Sequence, residues 1–416
     1  MRILVVHNRY QRPGGEDVVF DAEAALLRTH GHQVSQYVED NAEIGYVNRP
    51  KVAVDTIWSR RAGRRLRGLM AEHTPDLVHF HNTFPLISPA AYVACRRAGV
   101  PVVQTLHNYR LICPNALLFR DGHPCEECVP RAGAAWPGIV HACYRGSRPQ
   151  TAVVAAMLAV HRLRRTWSQD VTIYIALTNF ARDKFIAGGL PAAKIAVKAN
   201  FVAPDPGVVP AEKGCFLFVG RLSEEKGVRT LLRTWTRGNV RVPLRIVGAG
   251  PLEGLVREAA DGSPFISYLG QLERAAVFQH MRSAYALVFP SEWYEALPVT
   301  ILEAFACGLP VIAADRGAAG EIVRHGQTGL LFTPGDDHAL ETQLSWAGGH
   351  PDELRAMGLA ARQEYEAKYT AASNYGQLLH IYERALARGS PRPPAAASDG
   401  PGGPVEARPE TGTETA

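Results

Sequence analysis

The chain has 416 residues, of which 46% are hydrophobic and 20% are charged. This length predicts two or three domains, and the apolar content excludes a collagen-like or wholly disordered chain. Lysine and arginine number 45 and aspartate and glutamate 40, so the net charge of +5 is too small to indicate nucleic acid as a partner. Because no apolar run reaches the roughly 18 residues of a membrane span and the first residues lack a signal-peptide pattern, we expect a cytoplasmic protein.

Short apolar runs alternate with amphipathic helices along the first half of the chain. The predicted strands are 2–7, 76–81, 101–107 and 171–178, and the predicted helices are 18–30, 88–97 and 150–164. This alternation is typical of βαβ units, which build a doubly wound parallel sheet. We therefore expect an α/β, Rossmann-like domain over 1–201, with an irregular insert at about 108–148.

The same pattern resumes after a segment at 202–214 that is rich in proline and glycine, as expected of a linker. The predicted strands are 215–220, 244–248, 266–270, 286–290 and 310–314. We expect a second Rossmann-like domain over 215–370 and a C-terminal helix at 371–388 that returns to the first domain. The composition of 389–416 predicts a disordered tail.

Two domains of this kind would face each other across a cleft. Ligands bind at the carboxyl ends of the strands in such sheets, so the loops after the strands should hold the site. Those loops carry Gly14, His107, Arg221, Gly248 and Glu295.

The segment FPSEWYEALPVTILEAFACGLPVIAADRGAAG at 289–320 contains two glutamates, Glu295 and Glu303. If 297–307 is helical with Pro298 in its first turn, Glu303 lies about two turns in and Glu295 in the preceding loop. The free N–H groups at the helix start would favour an anion. Three interpretations remain open on spacing alone: solvated surface residues, a catalytic carboxylate pair of the glycosidase type, and two contacts to a nucleotide sugar.

A second segment, FVGRLSEEKG at 218–227, follows a strand and precedes a helix. Arg221 and Lys226 are five residues apart and could bracket a diphosphate, stabilising the charge of a leaving group. The alternative is an ordinary charged helix start, in which Glu224 and Glu225 pair with the basic residues.

The loop after the first strand carries a weaker signal. Paired glycines, Gly14 and Gly15, permit close approach of a ligand to the backbone, although such pairs also occur in ordinary turns. Next to them, Glu16 and Asp17 would suit helix caps. His107 ends a strand at the same edge, where a histidine is often structural.

Other strand ends carry less information. The turn GAGP at 248–251 and the strand end YLGQL at 268–272 would contact a ligand through backbone atoms. His7, His79 and His81 also end strands, and we interpret them as packing or loop residues.

The motifs at 289–320 and 218–227 resemble those of the retaining family 4, or group 1, glycosyltransferases of the GT-B fold, and the likeness extends to about Arg388. The resemblance implies that Glu295 contacts the donor sugar, Glu303 the ribose, and Arg221 and Lys226 the diphosphate. It also implies that His107 hydrogen-bonds the sugar. The remaining donor-binding residues that it implies are Gly14, Gly15, Gly248, Gly250, Leu272, Ala296 and Leu297. Ala296 is a departure, since many relatives have glycine there.

The resemblance further implies transfer of a hexose-type sugar from a nucleotide sugar to an acceptor hydroxyl, with retention. The acceptor would be a saccharide, a lipid-linked glycan or a small molecule. No cofactor or divalent metal is expected, because cationic side chains neutralise the diphosphate and no Asp-x-Asp metal motif appears in context. The alternatives are a nucleotide-sugar epimerase, a phosphorylase, and a non-catalytic nucleotide-sugar-binding partner of another transferase.

Four cysteines lie within the insert: Cys113, Cys125, Cys128 and Cys143. Their spacing would permit a structural zinc site, and the alternative is four unlinked thiols. Disulfides are disfavoured in a reducing cytoplasm. The insert would overhang the acceptor side of the cleft.

Two arginine clusters lie on predicted helices of the first domain. They comprise Arg60, Arg61, Arg64, Arg65 and Arg67, and Arg162, Arg164 and Arg165. Such clusters are usually solvated faces, but they could also hold the protein against anionic lipid at the inner face of the plasma membrane.

Overall fold

The computed structural model describes residues 1–11, 14–46, 48–129, 135–209, 214–237 and 240–389. Over these ranges the strands are β1 (Arg2–Arg9), β2 (Gln33–Asp40), β3 (Leu77–Phe80), β4 (Val102–Leu106), β5 (Phe119–Arg120), β6 (His123–Pro124), β7 (Ile173–Ala176), β8 (Ile195–Val197), β9 (Cys215–Val219), β10 (Leu244–Val247), β11 (Ile266–Tyr268), β12 (Ala284–Phe289), β13 (Val311–Ala314) and β14 (Gly329–Phe332).

The helices of the same ranges are α1 (Gly15–Thr29), α2 (Arg49–Trp58), α3 (Arg60–His73), α4 (Ala90–Arg97), α5 (Trp136–Val140), α6 (Arg148–Leu163), α7 (Thr166–Gln169), α8 (Asn179–Ala187), α9 (Val228–Arg237), α10 (Glu253–Asp261), α11 (Arg274–Arg282), α12 (Val299–Ala306), α13 (Gly317–Ile322), α14 (Asp337–Gly349), α15 (Pro351–Lys368) and α16 (Ala371–Arg388). None of them is long and apolar enough to span a bilayer.

Two six-stranded sheets organise the fold. The first has the order β2-β1-β3-β4-β7-β8 and the second the order β11-β10-β9-β12-β13-β14. All neighbouring strands in both sheets are parallel. Strands β3, β4, β7 and β13 are buried along their whole length. Helices therefore cover both faces, as the continuous apolar runs predict.

Within the two six-stranded sheets, three strands escape the hydrophobic pattern of the sequence. β2 lies at the edge of the first sheet, and polar, half-exposed residues interrupt its apolar ones. β8 and β14 are the far edges of the two sheets and are only three and four residues long. An edge strand has a neighbouring strand on one side only, so fewer of its side chains are buried and its sequence carries less apolar signal.

Four helix starts differ from the predicted ones, and two of these helices, α1 and α12, carry candidate site residues. α1 begins at Gly15, three residues early, because the Asp17 carboxylate accepts a 2.8 Å hydrogen bond from the Gly14 N–H and caps the helix. α12 begins at Val299, so Pro298 is its N-cap rather than part of its first turn. Residues 390–416, where the sequence predicts a disordered tail, lie outside the described ranges.

Loops from the carboxyl ends of the two sheets contact each other. Thr178, after β7, donates a 3.2 Å hydrogen bond to the carbonyl of Ala296, after β12. The carboxylate of Glu321 in α13 accepts hydrogen bonds from the N–H groups of Asn179 and Phe180, at the start of α8. The last helix, α16, packs against α1, β3 and β4 of the first domain. The cleft between the sheets therefore has walls from both halves of the chain.

Candidate functional site

Lys226 and Glu295 form an ion pair at the facing loops. The Lys226 Nζ lies 2.5 Å from Glu295 Oε1, and the Ser291 hydroxyl donates a 2.9 Å hydrogen bond to the same oxygen. The Glu295 side chain is 8% exposed and that of Lys226 is 22% exposed. The carboxylate is thus fixed in place, while the ammonium remains accessible to an anionic ligand.

Close approach of two loops creates this pair. Gly227 adopts a φ of +69°, and a Cβ there would lie 1.9 Å from the carbonyl oxygen of Pro290. The Glu292 N–H donates a 2.9 Å hydrogen bond to the carbonyl of Glu225, which joins the same two loops. Only glycine permits this contact, so the sequence Lys-Gly places the ammonium beside the Glu295 loop.

Arg221 follows β9 in an exposed position, and its guanidinium has no partner among the described residues. The turn that carries it packs on the turn at 248–251. A Cβ on Gly248 would lie 1.9 Å from the carbonyl oxygen of Gly220, and one on Gly250 would lie 2.4 Å from that of Leu222. These two glycines therefore support the loop that carries Arg221, and their contact with a donor stays a prediction.

Glu303 lies in the second turn of α12 and pairs with Arg274, whose Nε is 3.0 Å from Glu303 Oε1. Burial raises the pKa of Glu303, and the Arg274 guanidinium opposes that shift. Arg274 also donates a 2.9 Å hydrogen bond to the carbonyl of Ala203, in the segment between the sheets. No local pattern identifies Arg274, because 29 residues separate it from its partner. Ala296 and Leu297 are buried beside this region, and Leu272 is partly buried against the same core.

His107 lies at the carboxyl end of β4 and hydrogen-bonds a second histidine. Its Nε2 is 3.0 Å from the Nδ1 of His81. Burial, reinforced by the neighbouring His81, holds the pKa of His107 well below its usual range, so the ring is neutral. His81 and His79 in turn lie 3.3 and 3.2 Å from one oxygen of Glu23, whose other oxygen accepts from Lys198 at 3.0 Å. The strand-end histidines are therefore a polar network and not separate packing residues.

Glu23, His79 and His81 are also the one group of described residues whose potential metal-ligand atoms lie within 4.8 Å of one another. A buried divalent cation here would lie next to the Lys198 ammonium, and repulsion between buried charges is strong. The Nδ1 of His79 is in addition hydrogen-bonded to the Tyr382 hydroxyl at 2.8 Å. We therefore interpret the group as a hydrogen-bond network rather than a metal centre.

Glu16 is a site residue that sequence reasoning missed. It does not cap α1; its Oε2 accepts hydrogen bonds from the Tyr10 hydroxyl at 2.6 Å and from the Asn108 amide at 3.3 Å. Its Oε1 is buried and has no partner among the described residues. Burial raises the pKa of Glu16 to about 7, and the nearby charge of Asp17 adds to that shift, whereas the bonds from Tyr10 and Asn108 and the Arg110 charge oppose it.

The paired glycines beside Glu16 leave open space. A Cβ on Gly15 would meet nothing within 4 Å, and one on Gly14 would lie 3.9 Å from the nearest atom, Asp17 Oδ2. Neither residue has a positive φ. The fold itself therefore does not require glycine here, which is consistent with a ligand approaching the backbone.

The four cysteines of the insert are free thiols. Burial raises the pKa of Cys128 to about 11, and the neighbouring Cys113, Cys143 and Cys125 contribute to that shift. The four side chains thus share one region, but within the described part of the chain no three of their sulfur atoms lie within 4.8 Å of one another. A tetrahedral zinc site would need the sulfurs to draw closer together.

The two arginine clusters lie on α3 and at the end of α6. Arg60, Arg61, Arg64, Arg65, Arg67, Arg164 and Arg165 are exposed, and Arg162 is partly buried. Arg61 pairs with Glu39, and the guanidinium of Arg164 lies 4.7 Å from the centre of the Trp58 ring. Most of the positive charge therefore faces solvent.

Two family models match the chain. The one described as "Glycosyl transferase 4-like domain" matches residues 14–200, and the one described as "Glycosyl transferases group 1" matches residues 213–347. Among known proteins, a phosphatidyl-myo-inositol mannosyltransferase of Mycobacterium leprae is 31% identical over 407 residues, which cover 94% of this chain and 98% of that protein.

Solved structures share the architecture. Anabaena HepE in complex with UDP has a TM-score of 0.65 at 19% identity and covers 92% of this chain and 100% of its own. Sucrose-phosphate synthase from Thermosynechococcus elongatus has a TM-score of 0.68 at 16% identity, with 93% of this chain and 100% of its own covered. These similarities confirm the predicted fold of two Rossmann-like domains across a cleft.

We predict that Glu16→Gln stabilises the protein at pH 8 but not at pH 5. The raised pKa means that folded Glu16 keeps a proton that the unfolded chain loses between about pH 4.5 and 7, so wild-type stability falls as pH rises through that window. Glutamine does not ionise, and it should gain up to about 3 kcal/mol relative to wild type above pH 7. Thermal unfolding of both proteins at the two pH values measures the difference.

The matched control is Asp21→Asn, on the same helix but exposed and paired with Arg9. It should change stability little at either pH. An equal effect of Glu16→Gln at pH 5 and pH 8 would contradict the assignment of a raised pKa to Glu16.

Proposed function

The chain belongs to the group 1 glycosyltransferases of the GT-B fold, and on that premise we propose that it moves a hexose-type sugar from a nucleotide donor to an acceptor hydroxyl with retention. The observation that carries the proposal is the Lys226–Glu295 pair, placed where the loops of the two sheets meet. Glycosyl transfer develops negative charge on a leaving diphosphate and positive charge on the sugar. A cation and a carboxylate side by side match that distribution.

In the proposed mechanism, Lys226 and Arg221 bind the diphosphate and stabilise it as the leaving group. Glu295 and His107 hold the donor sugar, and Glu303 hydrogen-bonds the ribose. The acceptor hydroxyl approaches on the face of the leaving group, and a phosphate oxygen takes its proton. No protein base is required, and the contacts between the domains exclude water from the reacting atoms.

Glu295 is suited to the sugar side of this reaction because it is preorganised. Its Oε1 already accepts from Lys226 and from Ser291. Diphosphate binding would draw the Lys226 ammonium toward the new anion and increase the charge that Glu295 presents to the anomeric centre. The ion pair would thus couple donor binding to stabilisation of the transition state.

Proteins similar to this chain suggest which nucleotide sugars could serve as its donor. One relative is a GDP-mannose-dependent alpha-mannosyltransferase of Mycolicibacterium smegmatis, and HepE binds UDP. We therefore propose a UDP- or GDP-sugar as the donor and a saccharide, lipid-linked glycan or small molecule as the acceptor. The exposed arginines on α3 and directly after α6 support peripheral contact with anionic lipid, which would suit a lipid-linked acceptor.

The test of the proposed function is a donor screen followed by product analysis. UDP-, GDP-, dTDP- and ADP-sugars are added to the purified protein, and a true donor at about 100 times its dissociation constant should stabilise it by about 2.7 kcal/mol. NMR of the sugar product then gives the anomeric configuration. An inverted product would refute retention, an epimerised nucleotide sugar would show an epimerase, and binding without turnover would show a non-catalytic partner.

We predict that Lys226→Ala and Arg221→Ala each lower kcat by about 10²–10³ without unfolding the protein, because each removes a charge that stabilises the leaving diphosphate. Steady-state kinetics with the donor from the screen measures the loss. Arg229→Ala is the matched control, since Arg229 lies in the first turn of α9, three residues after Lys226, and pairs with Glu224 in an exposed ion pair. Unchanged kcat in both site variants would refute the diphosphate assignment.

A further prediction concerns metals. If Arg221 and Lys226 neutralise the diphosphate, the transfer reaction should continue in the presence of EDTA. Loss of donor binding on addition of EDTA, restored by Mg²⁺, would overturn this prediction.

If the insert holds structural zinc, elemental analysis of the purified protein should give about one zinc per chain, and Cys128→Ser should lower that content. Cys95→Ala, at a buried cysteine outside the insert, should leave the zinc content unchanged. Protein without zinc would leave the four cysteines as ordinary thiols.

A further inference from the structure

A continuous line of buried polar groups runs behind the proposed sugar site. It starts at Lys198, at the end of β8, passes through Glu23 of α1 and His81 after β3, and ends at His107 after β4. The side chains of Lys198, Glu23 and His81 are each no more than 2% exposed. Water therefore has little access to the line, and the atom that carries each proton is determined by the neighbouring side chains.

The charges of Lys198 and Glu23 determine where the protons of the line lie. Lysine can only donate, so Lys198 donates to Glu23 Oε2 at 3.0 Å. The Nε2 of His81 lies 3.3 Å from Glu23 Oε1 but is not aligned with it for a hydrogen bond. A lone pair on Nε2 would face the carboxylate and be repelled, so the proton lies on Nε2. His81 is neutral, because burial above all and the neighbouring His79 lower its pKa to about 4. The Nδ1 of His81 is then unprotonated and carries a lone pair.

The same logic extends to His107. The Nδ1 of His81 can only accept, so the Nε2 of His107, 3.0 Å away, must donate. His107 is neutral too, and a neutral imidazole carries one proton. Its Nδ1 is therefore unprotonated, and that atom has no hydrogen-bond partner among the described residues.

We propose that Glu23 is a positioning residue that acts through His81 to fix the tautomer of His107, so that His107 presents Nδ1 to the donor sugar as a hydrogen-bond acceptor. The inference rests on the proposed function only in placing the sugar at His107. The chemical partner that it selects is a sugar hydroxyl acting as the donor of the hydrogen bond.

The charges facing the line support this arrangement at neutral pH. Burial alone would raise the pKa of Glu23, but the Lys198 ammonium and the His79 ring outweigh it and hold that pKa well below its usual range. The groups that face His107 are His81, Glu23, His7 and His79. The Asp17 carboxylate engages His7 at 2.8 Å. Glu23 is thus the carboxylate on this line.

Glu23→Gln is an isosteric variant that should reverse the positions of the protons on His81 and His107. Lys198 repels an NH₂ group because both are donors, so the amide oxygen of glutamine would face Lys198 and the NH₂ group would face His79 and His81. His81 would then accept at Nε2 and donate from Nδ1, and His107 would carry its proton on Nδ1 instead. The steric bulk of the side chain would be almost unchanged.

The experiment is NMR of protein labelled with ¹⁵N-histidine at pH 7, with the His107 signal assigned from its absence in His107→Asn. Wild-type His107 should be the Nε2–H tautomer and Glu23→Gln the Nδ1–H tautomer. Tyr382→Phe is the matched control: it removes a hydroxyl from His79 in the same network but leaves the line from Glu23 to His107 intact, so the wild-type tautomer should persist.

Activity provides the second readout. With the donor from the screen, Glu23→Gln should lower kcat about tenfold while the donor dissociation constant changes less than twofold, and Tyr382→Phe should change neither. A wild-type His107 that is charged or protonated on Nδ1 would overturn the proposal, even if Glu23→Gln failed to fold. An unchanged tautomer in folded Glu23→Gln would overturn it as well. The NMR experiment needs no donor, so its result can be interpreted even if the proposed function is wrong.

Discussion

The parallel direction of the strands is the constraint on which the rest of the structure depends. In each six-stranded sheet all strands run the same way, so every strand-to-helix loop at the carboxyl end lies on one edge. The two edges contact each other through Thr178 and Ala296, and through Glu321 of α13, which accepts hydrogen bonds from the start of α8. Residues that are distant in sequence, such as His107 and Glu295, are thereby brought to one cleft without any local signal for their proximity.

Burial and ion pairing together determine the pKa values of the carboxylates near this cleft. Glu16 and Glu23 lie on the same helix, yet burial raises the pKa of Glu16 to about 7 while that of Glu23 is held well below its usual range. The difference is the partner: Glu23 has the Lys198 ammonium at 3.0 Å, whereas Glu16 has only a hydroxyl and an amide. Two carboxylates on the same helix can therefore serve different purposes, one as a fixed anion and one as a group that titrates near neutrality.

Local pattern allowed the central strands and the two loop motifs to be predicted, because each depends on a few consecutive residues. The edge strands β2, β8 and β14 were missed, since half-exposed or very short strands carry little apolar signal. The partners of the site residues were missed for another reason. Lys198 lies 175 residues from Glu23, and Tyr382 lies 303 residues from His79. Pairs of this kind arise from the topology of the sheet and the return of α16, which spacing along the chain does not encode.

The insert is joined to the donor side of the cleft by one residue between its cysteines. Glu126 lies between Cys125 and Cys128 and accepts a 2.7 Å hydrogen bond from Lys184 of α8. The hydroxyl of Tyr294 also bonds to Glu126, and burial together with that bond raises the pKa of the phenol.

Tyr294 immediately precedes Glu295, so a displacement of the Cys125–Cys128 turn would reach the loop that holds the proposed sugar-binding carboxylate. The ammonium of Lys184 lies 5.0 Å from the centre of the Tyr294 ring, which adds a second contact between the same elements. Glu126 and Tyr294 therefore connect the cysteine-bearing turn to the Glu295 loop. A structural role for the insert would therefore extend to the proposed site, because the same contacts connect the two.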